Sequence, residues 1–269
     1  MNFAELGITG AVPVAGGCIH RCYRAERDGR AVFLKVNEAR FADAFAAEAD
    51  GLAALRGAGC RAPEPIALGT VGASAYLVLE VLELRAKGDF AALGRMLAAM
   101  HRSQGERFGW SRDNYIGSTP QANGWSKSWP AFWRVRRLEP QLALAAKNGY
   151  RIDAPPVWQL LESHEPAPSL LHGDLWSGNA GFLPRGEPAL FDPAAYYGDR
   201  EADLAMTELL GGFPAEFYTA YSAAWPLAPG YGERKHLYNL YHLLNHLNLF
   251  GGGYLAQVRA ALGLLARGL

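Results

Sequence analysis

Residues 170–182 read LLHGDLWSGNAGF. Behind two leucines the stretch packs His172, Asp174, Ser177 and Asn179 close together, and polar groups that dense mark either a surface loop or a working site. A His-Gly-Asp alone occurs by chance in many loops. The choice turns on the next acid, Asp192 at the end of the apolar run ALF, and on the order of the elements upstream.

Around this stretch the patterns are helical: FAALGRMLAAMHR and SWPAFWRVRRLEPQLALAAK before it, EADLAMTELL, AEFYTAYSAAW and RKHLYNLYHLLNHLNLF after it. Before residue 83 the character changes. VPVAGG, CIHRCYRAE and AVFLKV read as strands, with a turn at Gly16-Gly17 and a hairpin signal at Asp28-Gly29. PEPIALG (63–69) and AYLVLEVL (75–82) add strands, and Arg40 to Arg56 reads as one helix with Phe41, Phe45, Leu52 and Leu55 on a stripe. At ELRAKGD (83–89) the composition turns abruptly charged and small. The predicted fold is α+β and two-lobed. A small antiparallel-sheet lobe with one helix (1–82) precedes a larger, mainly helical lobe (83–269), the two forming one domain with a cleft where ligands favour binding.

Glu48 falls on the apolar stripe of that one helix, where a carboxylate is costly unless paired. Lys35, inside the apolar strand AVFLKV, needs a partner for the same reason. Taken alone, both could snorkel to solvent from separate edges. Taken with the rest, the order is that of a kinase: a glycine turn, a strand lysine, a helix glutamate, a hinge, then His172-Gly173-Asp174-Leu175 with Asn179 five residues after the aspartate. Phosphoryl transfer explains this spacing. An aspartate must stand beside the acceptor hydroxyl, while an asparagine and a second aspartate converge on Mg²⁺ bridging the nucleotide phosphates.

HGDLWSGN, the Asp-Pro-Ala of FDPAAYYGDREADLAM, GGFP and LYHLLNHLNLFG resemble segments of the fructosamine kinase (ketosamine kinase) family, a branch of the aminoglycoside-phosphotransferase-like kinases. GGCIHRCYR is similar to that family's phosphate loop and DNYIGSTPQANGW to its middle segment, so the likeness spans nearly the whole chain. It implies a protein-kinase-like fold and ATP-dependent phosphorylation of a ketosamine such as fructosamine or ribulosamine, usually at the 3-hydroxyl, in deglycation of proteins or amines. On the same footing Asp174 is the base, and Asn179 and Asp192 hold Mg²⁺. Lys35 and Glu48 form the phosphate-binding pair under the amides of Gly16-Gly17, and the stretch from Glu80 to Leu82 is the hinge whose backbone meets adenine. Trp176 and His246 are carried to the sugar end of the substrate. His20 stands where the family usually has asparagine, and the third glycine of the protein-kinase loop is absent.

Other readings stay open on the sequence. Another small-molecule phosphotransferase (aminoglycoside, choline or sugar) shares the motif, and a non-catalytic nucleotide-binding module shares the fold. A metal-hydrolase cluster of His172, Asp174 and Asp192 leaves Lys35 and Glu48 unexplained. Trp129 and Trp133 read as a buried stripe, with Trp125 a candidate for the acceptor pocket. His242 and His246 have zinc spacing, but leucines around them favour a core or cleft role. His101 reads as a helix-end residue; of Asp199, Glu201 and Asp203, one caps a helix and another braces the loop.

Lysine plus arginine and aspartate plus glutamate both number 26, without a long run of either sign, which disfavours nucleic acid or anionic membrane as the main partner. With no secretory pattern or uninterrupted apolar span, the expectation is a cytoplasmic protein acting on a small-molecule or protein-linked ketosamine, of undetermined oligomeric state. Cys18, Cys22 and Cys60 fit no disulfide framework or common zinc spacing, and Cys18, beside the glycine turn, is a candidate redox-sensitive thiol.

Overall fold

Asp28 and Gly29 both sit at positive φ, 52° and 71°, in a two-residue turn of the sort whose twist matches its flanking strands. The computed structural model describes residues 3–14 and 19–267, so the Gly16-Gly17 turn and Cys18 lie outside the described residues. In it β1 (Ile8–Val14) pairs with β2 (Arg21–Arg27), and β2 pairs across the Asp28-Gly29 turn with β3 (Arg30–Glu38). The chain then runs through a 3-10 turn, Ala39–Phe41, into α1 (Ala42–Gly57), and returns as β4 (Pro65–Val71) and β5 (Ser74–Glu80). The sheet is antiparallel with order β1-β2-β3-β5-β4. The helix expected from Arg40 thus begins two residues later, after the tighter turn.

Alternation along β3 sorts its side chains. Val32, Leu34 and Val36 enter a small core with Ile8, Ala25 and Val78. Lys35 points to the opposite face, toward α1, and is nearly sealed from solvent. On that side Phe45, Leu52 and Leu55 of α1 pack with Ala75, Leu77 and Leu79 of β5.

After residues 81–89, α2 (Phe90–His101) opens the helical part. There follow the short strands β6 (Asn114–Ile116) and β7 (Thr119–Gln121), then α3 (Trp129–Trp133) and α4 (Glu139–Lys147). Strands β8 (Ser169–Leu171), β9 (Ala180–Phe182), β10 (Pro188–Leu190) and β11 (Tyr196–Gly198) precede α5 (Glu201–Leu209), α6 (Ala215–Ala224), α7 (Tyr231–Phe250) and α8 (Leu255–Leu265). Three two-stranded sheets form: β6 with β7, β9 with β10, and β8 with β11. β8 delivers residues 172–179 from the core, and the β9–β10 hairpin carries the chain from Asn179 to Asp192.

One expected helix is interrupted. SWPAFWRVRRLEPQLALAAK forms α3 and α4 joined by a π-helical segment, Arg134–Leu138. Pro140 has no N–H for the carbonyl of Arg136, and its ring crowds that carbonyl, so the ladder widens there. The freed oxygen accepts from the Arg137 guanidinium at 3.0 Å. Trp129 and Trp133 are buried as the stripe predicts, and Trp125 is exposed. Among the described residues no helix is long and apolar enough to cross a membrane.

Candidate active site

The loop at the centre of the site is shaped by one glycine. Gly173 has φ 81°, and a Cβ there would lie 2.1 Å from the carbonyl oxygen of Ala194, so this position admits no side chain. The N–H groups of His172 and Gly173 donate to the two carboxylate oxygens of Asp203 on α5, at 2.7 and 2.8 Å. His172 Nδ1 accepts from the Asp174 N–H at 3.3 Å while Nε2 faces the Phe191 carbonyl at 3.0 Å, which places the ring proton on Nε2. Both ring nitrogens are spent on backbone, so the hydrolase cluster of His172, Asp174 and Asp192 does not form. Burial holds the His172 imidazole below its ordinary value.

Lys35 Nζ lies 2.7 Å from Glu48 Oε1 and 2.5 Å from Asp192 Oδ1. The strand lysine, the helix glutamate and the acid after the β9–β10 hairpin therefore meet at one atom. Burial alone would lower the Lys35 ammonium, but Asp192 and Glu48 outweigh it and hold the group above its ordinary value. Burial pushes Glu48 up to about 7 against the pull of Lys35, with Asp192 adding to the rise. Asp192 is one of two non-glycine residues at positive φ among the described residues (56°), and its side chain is 46% exposed. Backbone held in this region clusters at active sites and ligand clamps.

Asn179 Nδ2 donates to the Asp174 carbonyl at 2.8 Å and reaches Asp174 Oδ2 at 3.2 Å. Burial raises the Asp174 carboxyl to about 7, Asp192 adds to this, and the Asn179 amide opposes it. Asp192 thus acts on both the buried Lys35 ammonium and the Asp174 carboxyl, and the Asn179 amide stands beside Asp174.

Glu80 ends β5; its carboxylate is taken by Arg61 (2.8 Å for one contact), and its N–H by the Glu64 carbonyl at 2.9 Å. Leu82 follows in the segment between the lobes, whose Arg85 exchanges backbone hydrogen bonds with Phe182 at 2.8 and 2.9 Å. Trp176 folds back over its own loop: a Cβ on Gly178 would lie 2.3 Å from the indole ring. His246, on α7, faces the His242 carbonyl at 2.7 Å and packs beside Tyr254 and Phe250. Its hydrogen bond thus runs within α7 rather than to residues 172–179. His20 bonds Asn37 Nδ2 at 2.9 Å and lies against Phe45; burial, then Lys35, lower it to about 4.

The three acids after Gly198 divide as a cap and a brace. Asp199 Oδ1 accepts the Glu201 N–H at 3.0 Å, and Asp203 is the residue that holds the loop. His101 does more than end a helix: its ring is buried, 3.2 Å from Asp203 and 2.8 Å from the Tyr221 hydroxyl. His164, Asp199 and Glu201 also converge. Arg234 takes both Glu201 oxygens at 2.7 and 2.8 Å, and Tyr238 and His164 share Asp199 Oδ2, so this cluster satisfies itself.

A polar network beneath the loop had no sequence signal. Asn114 and Gln121 donate to the carbonyls of Ala195 and Ala194. Buried Arg137 donates to Asn123 Oδ1 and the Ala122 carbonyl, both at 2.7 Å, with the Tyr196 ring 4.0 Å away. Of the cysteines described, Cys22 and Cys60 are free, and burial raises the Cys60 thiol to about 12, which leaves it inert.

The fructosamine kinase family model matches residues 2–267. The chain is 49% identical over 258 residues to a "probable ketoamine kinase" of Synechocystis sp., covering 93% of this chain and 88% of that protein. It is 43% identical over 267 residues to one of Vibrio parahaemolyticus, covering 95% and 92%. Among solved structures it is similar to a "putative fructosamine-3-kinase" from Haemophilus somnus, with TM-score 0.90 and 29% identity over 96% of this chain and 91% of that one. A more distant likeness, of fold alone, is to a thermostable mutant of aminoglycoside phosphotransferase APH(4)-Ia solved with ADP and hygromycin B, at TM-score 0.62 and 17% identity over 98% and 95% of the two chains. The two-lobed α+β architecture is therefore shared with these kinases, and the chain belongs to the fructosamine kinase family of phosphotransferases.

Proposed function

We propose that this protein transfers the γ-phosphoryl group of ATP to a sugar hydroxyl of a ketosamine, with the 3-hydroxyl as acceptor, in deglycation of amines or proteins. The observation that carries the reading is the meeting of Lys35 with both Glu48 and Asp192, beside Asp174 and Asn179. Lys35, oriented by Glu48, would hold the α and β phosphates, and the Gly16-Gly17 turn, outside the described residues, would cover them with backbone amides. Backbone from Glu80 to Leu82 would meet adenine at the junction between a nucleotide-binding part (1–82) and a catalytic and acceptor-binding part (83–269).

Asp174 is proposed as the base. Its carboxyl, raised to about 7 by burial, suits a group that accepts or orients a hydroxyl proton near neutral pH. The donor set fits Mg²⁺: Asn179 spends its amide N–H on Asp174, which leaves the amide oxygen, and Asp192 offers a half-exposed carboxylate. Mg²⁺ takes one or two protein oxygens and fills its remaining positions with phosphate and water. Held by Asn179 and Asp192, the ion would supply positive charge against the transferring phosphoryl group. Trp176 and His246 would meet the sugar.

The test is ATP consumption with a panel of synthetic fructosyl, ribulosyl and erythrulosyl amines beside aminoglycosides and choline, run with Asp174→Ala. Turnover on ketosamines that falls by about 10²–10⁴-fold in the variant is the expected result. Activity on choline or an aminoglycoside but on no ketosamine would sink the substrate assignment, and normal turnover by the variant would sink the base.

A further inference from the structure

Where a lysine–glutamate pair binds nucleotide phosphates, the position of the helix that carries the glutamate sets activity. Here that helix is α1, and it is held from the far side. Asp43 and Asp50 lie two turns apart on α1, on one face. Trp110 Nε1 donates to Asp50 Oδ2 at 2.6 Å, the Tyr115 hydroxyl donates to Asp43 Oδ2 at 3.2 Å, and Arg112 pairs with Asp43. All three donors belong to the segment that leads into and through β6 in the helical part of the molecule.

The same segment holds the other side of the site. Asn114 Nδ2 donates to the Ala195 carbonyl at 2.8 Å, and Gln121 Nε2 reaches the Ala194 carbonyl at 3.3 Å. Pro193 and Ala195, just beyond Asp192, press on α1 at Gly51, where a Cβ would lie 3.1 and 3.4 Å from their side chains. Gly51 is one turn from Glu48, so the close approach sits beside the carboxylate that meets Lys35. Residues 110–121 thus contact both the helix that carries Glu48 and the segment just beyond Asp192.

We propose that Trp110, Arg112 and Tyr115 are positioning residues that hold α1 where Glu48 meets Lys35. The nucleotide-binding geometry is then built into the fold by a fixed strap. The inference rests on the reading of Lys35 and Glu48 as the phosphate-binding pair. It predicts a loss specific to the nucleotide, because the strap touches α1 and the 193–195 backbone rather than the acceptor hydroxyl.

The test combines Trp110→Phe with Tyr115→Phe, which removes both donors and keeps an aromatic ring at each position. The expected result is an ATP KM raised about tenfold, the scale of a lost charge-assisted hydrogen bond, with acceptor KM and kcat changed far less. Amide exchange over residues 42–57 of the nucleotide-free protein speeds up while that over 170–192 does not. Glu48→Gln added to the double variant costs less than Glu48→Gln alone, because the pair is already loosened. Arg112→Ala, at a partly exposed ion pair, shifts the ATP KM in the same direction by less. Unchanged α1 exchange, or additive effects in the cycle, overturns the strap. If Glu48→Gln alone leaves the ATP KM unaltered, the pair reading itself fails; if that variant raises it and the double variant does not, only the strap fails.

Discussion

Asp203 accepts the backbone N–H of His172 at 2.7 Å on one carboxylate oxygen while the other takes the N–H of the next residue at 2.8 Å. One buried side chain on α5 thereby fixes two successive peptide planes immediately before Asp174. Burial alone would push its carboxyl up, but His101 and after it His172 outweigh burial and hold it below its ordinary value. The charge on Asp203 is therefore part of the loop's geometry.

Asp203→Asn keeps the shape and removes that charge. An amide can accept one of the two N–H groups through its oxygen, while its NH₂ meets the other donor head-on. His101 also loses its carboxylate partner. Breaking a buried charged network by removing one member costs about 3–5 kcal/mol. The expected outcome is a loss of that size in denaturant unfolding, with a fall in kcat and a smaller change in ATP KM. Wild-type stability and turnover in the Asp203→Asn protein would show that the brace is incidental.

Gly173→Ala acts on the same loop by a different cause. The new methyl would meet the Ala194 carbonyl at 2.1 Å, at a φ of 81° that alanine rarely adopts. Strain of about 1–3 kcal/mol follows from the dihedral alone, and the contact forces the loop away from the 192–195 segment. Turnover should fall by at least about a hundredfold, the scale on which misplacement of reacting groups by an ångström acts. A steady-state assay at saturating ATP checks it.

Trp176 and Gly178 make a linked pair of tests. The indole lies across Gly178, where a Cβ would come within 2.3 Å of the ring. If the indole packs against the sugar end of the substrate, Trp176→Ala raises the acceptor KM by about tenfold, in line with a lost aromatic contact. Gly178→Ala, which keeps the indole and displaces it, should raise the same constant, and neither variant should alter the ATP KM. An ATP-specific effect from either would remove Trp176 from the acceptor site.

The legible part of this molecule is the part written in local pattern. A β-rich apolar run marked β3, and the Asp28-Gly29 pair marked its hairpin. Lys35 and Glu48 were each conspicuous as a charge at an apolar position, and they meet at 2.7 Å. That Lys35 also reaches Asp192 was not legible, because 157 residues separate them and only the folded lobes bring them together. Arg137 gave no signal either. Its buried guanidinium bonds carbonyl groups and stacks on rings, and neither kind of partner leaves a charge pattern in sequence. Pro140 signals the π-helical break at Arg134–Leu138, but it sits inside a run whose pattern reads as one helix. Asp43 and Asp50 could have been noticed as a repeated acid on one face of α1; Trp110 and Tyr115, their partners, could not.

His242 makes acid stability a further test. It is buried on α7, and its Nδ1 has no hydrogen-bond partner among the described residues. Burial, then the neighbouring His246, lower its imidazole from 6.5 to about 3, with Asp203 pulling the other way and Arg137 adding to the fall. The unfolded chain therefore takes up this proton first as the pH drops. Stability from burying the neutral ring is fully present above about pH 6.5 and is lost progressively toward pH 3, at about 1.4 kcal/mol per pH unit. His242→Leu removes the titrating group and fills much of the same space. Between pH 7 and pH 5 the wild-type protein should lose about 2 kcal/mol more unfolding free energy than the variant. At pH 7 the two should differ little, since the leucine also removes an unpartnered buried nitrogen. Parallel losses in urea unfolding across that range would mean that the His242 ring is protonated in the folded protein.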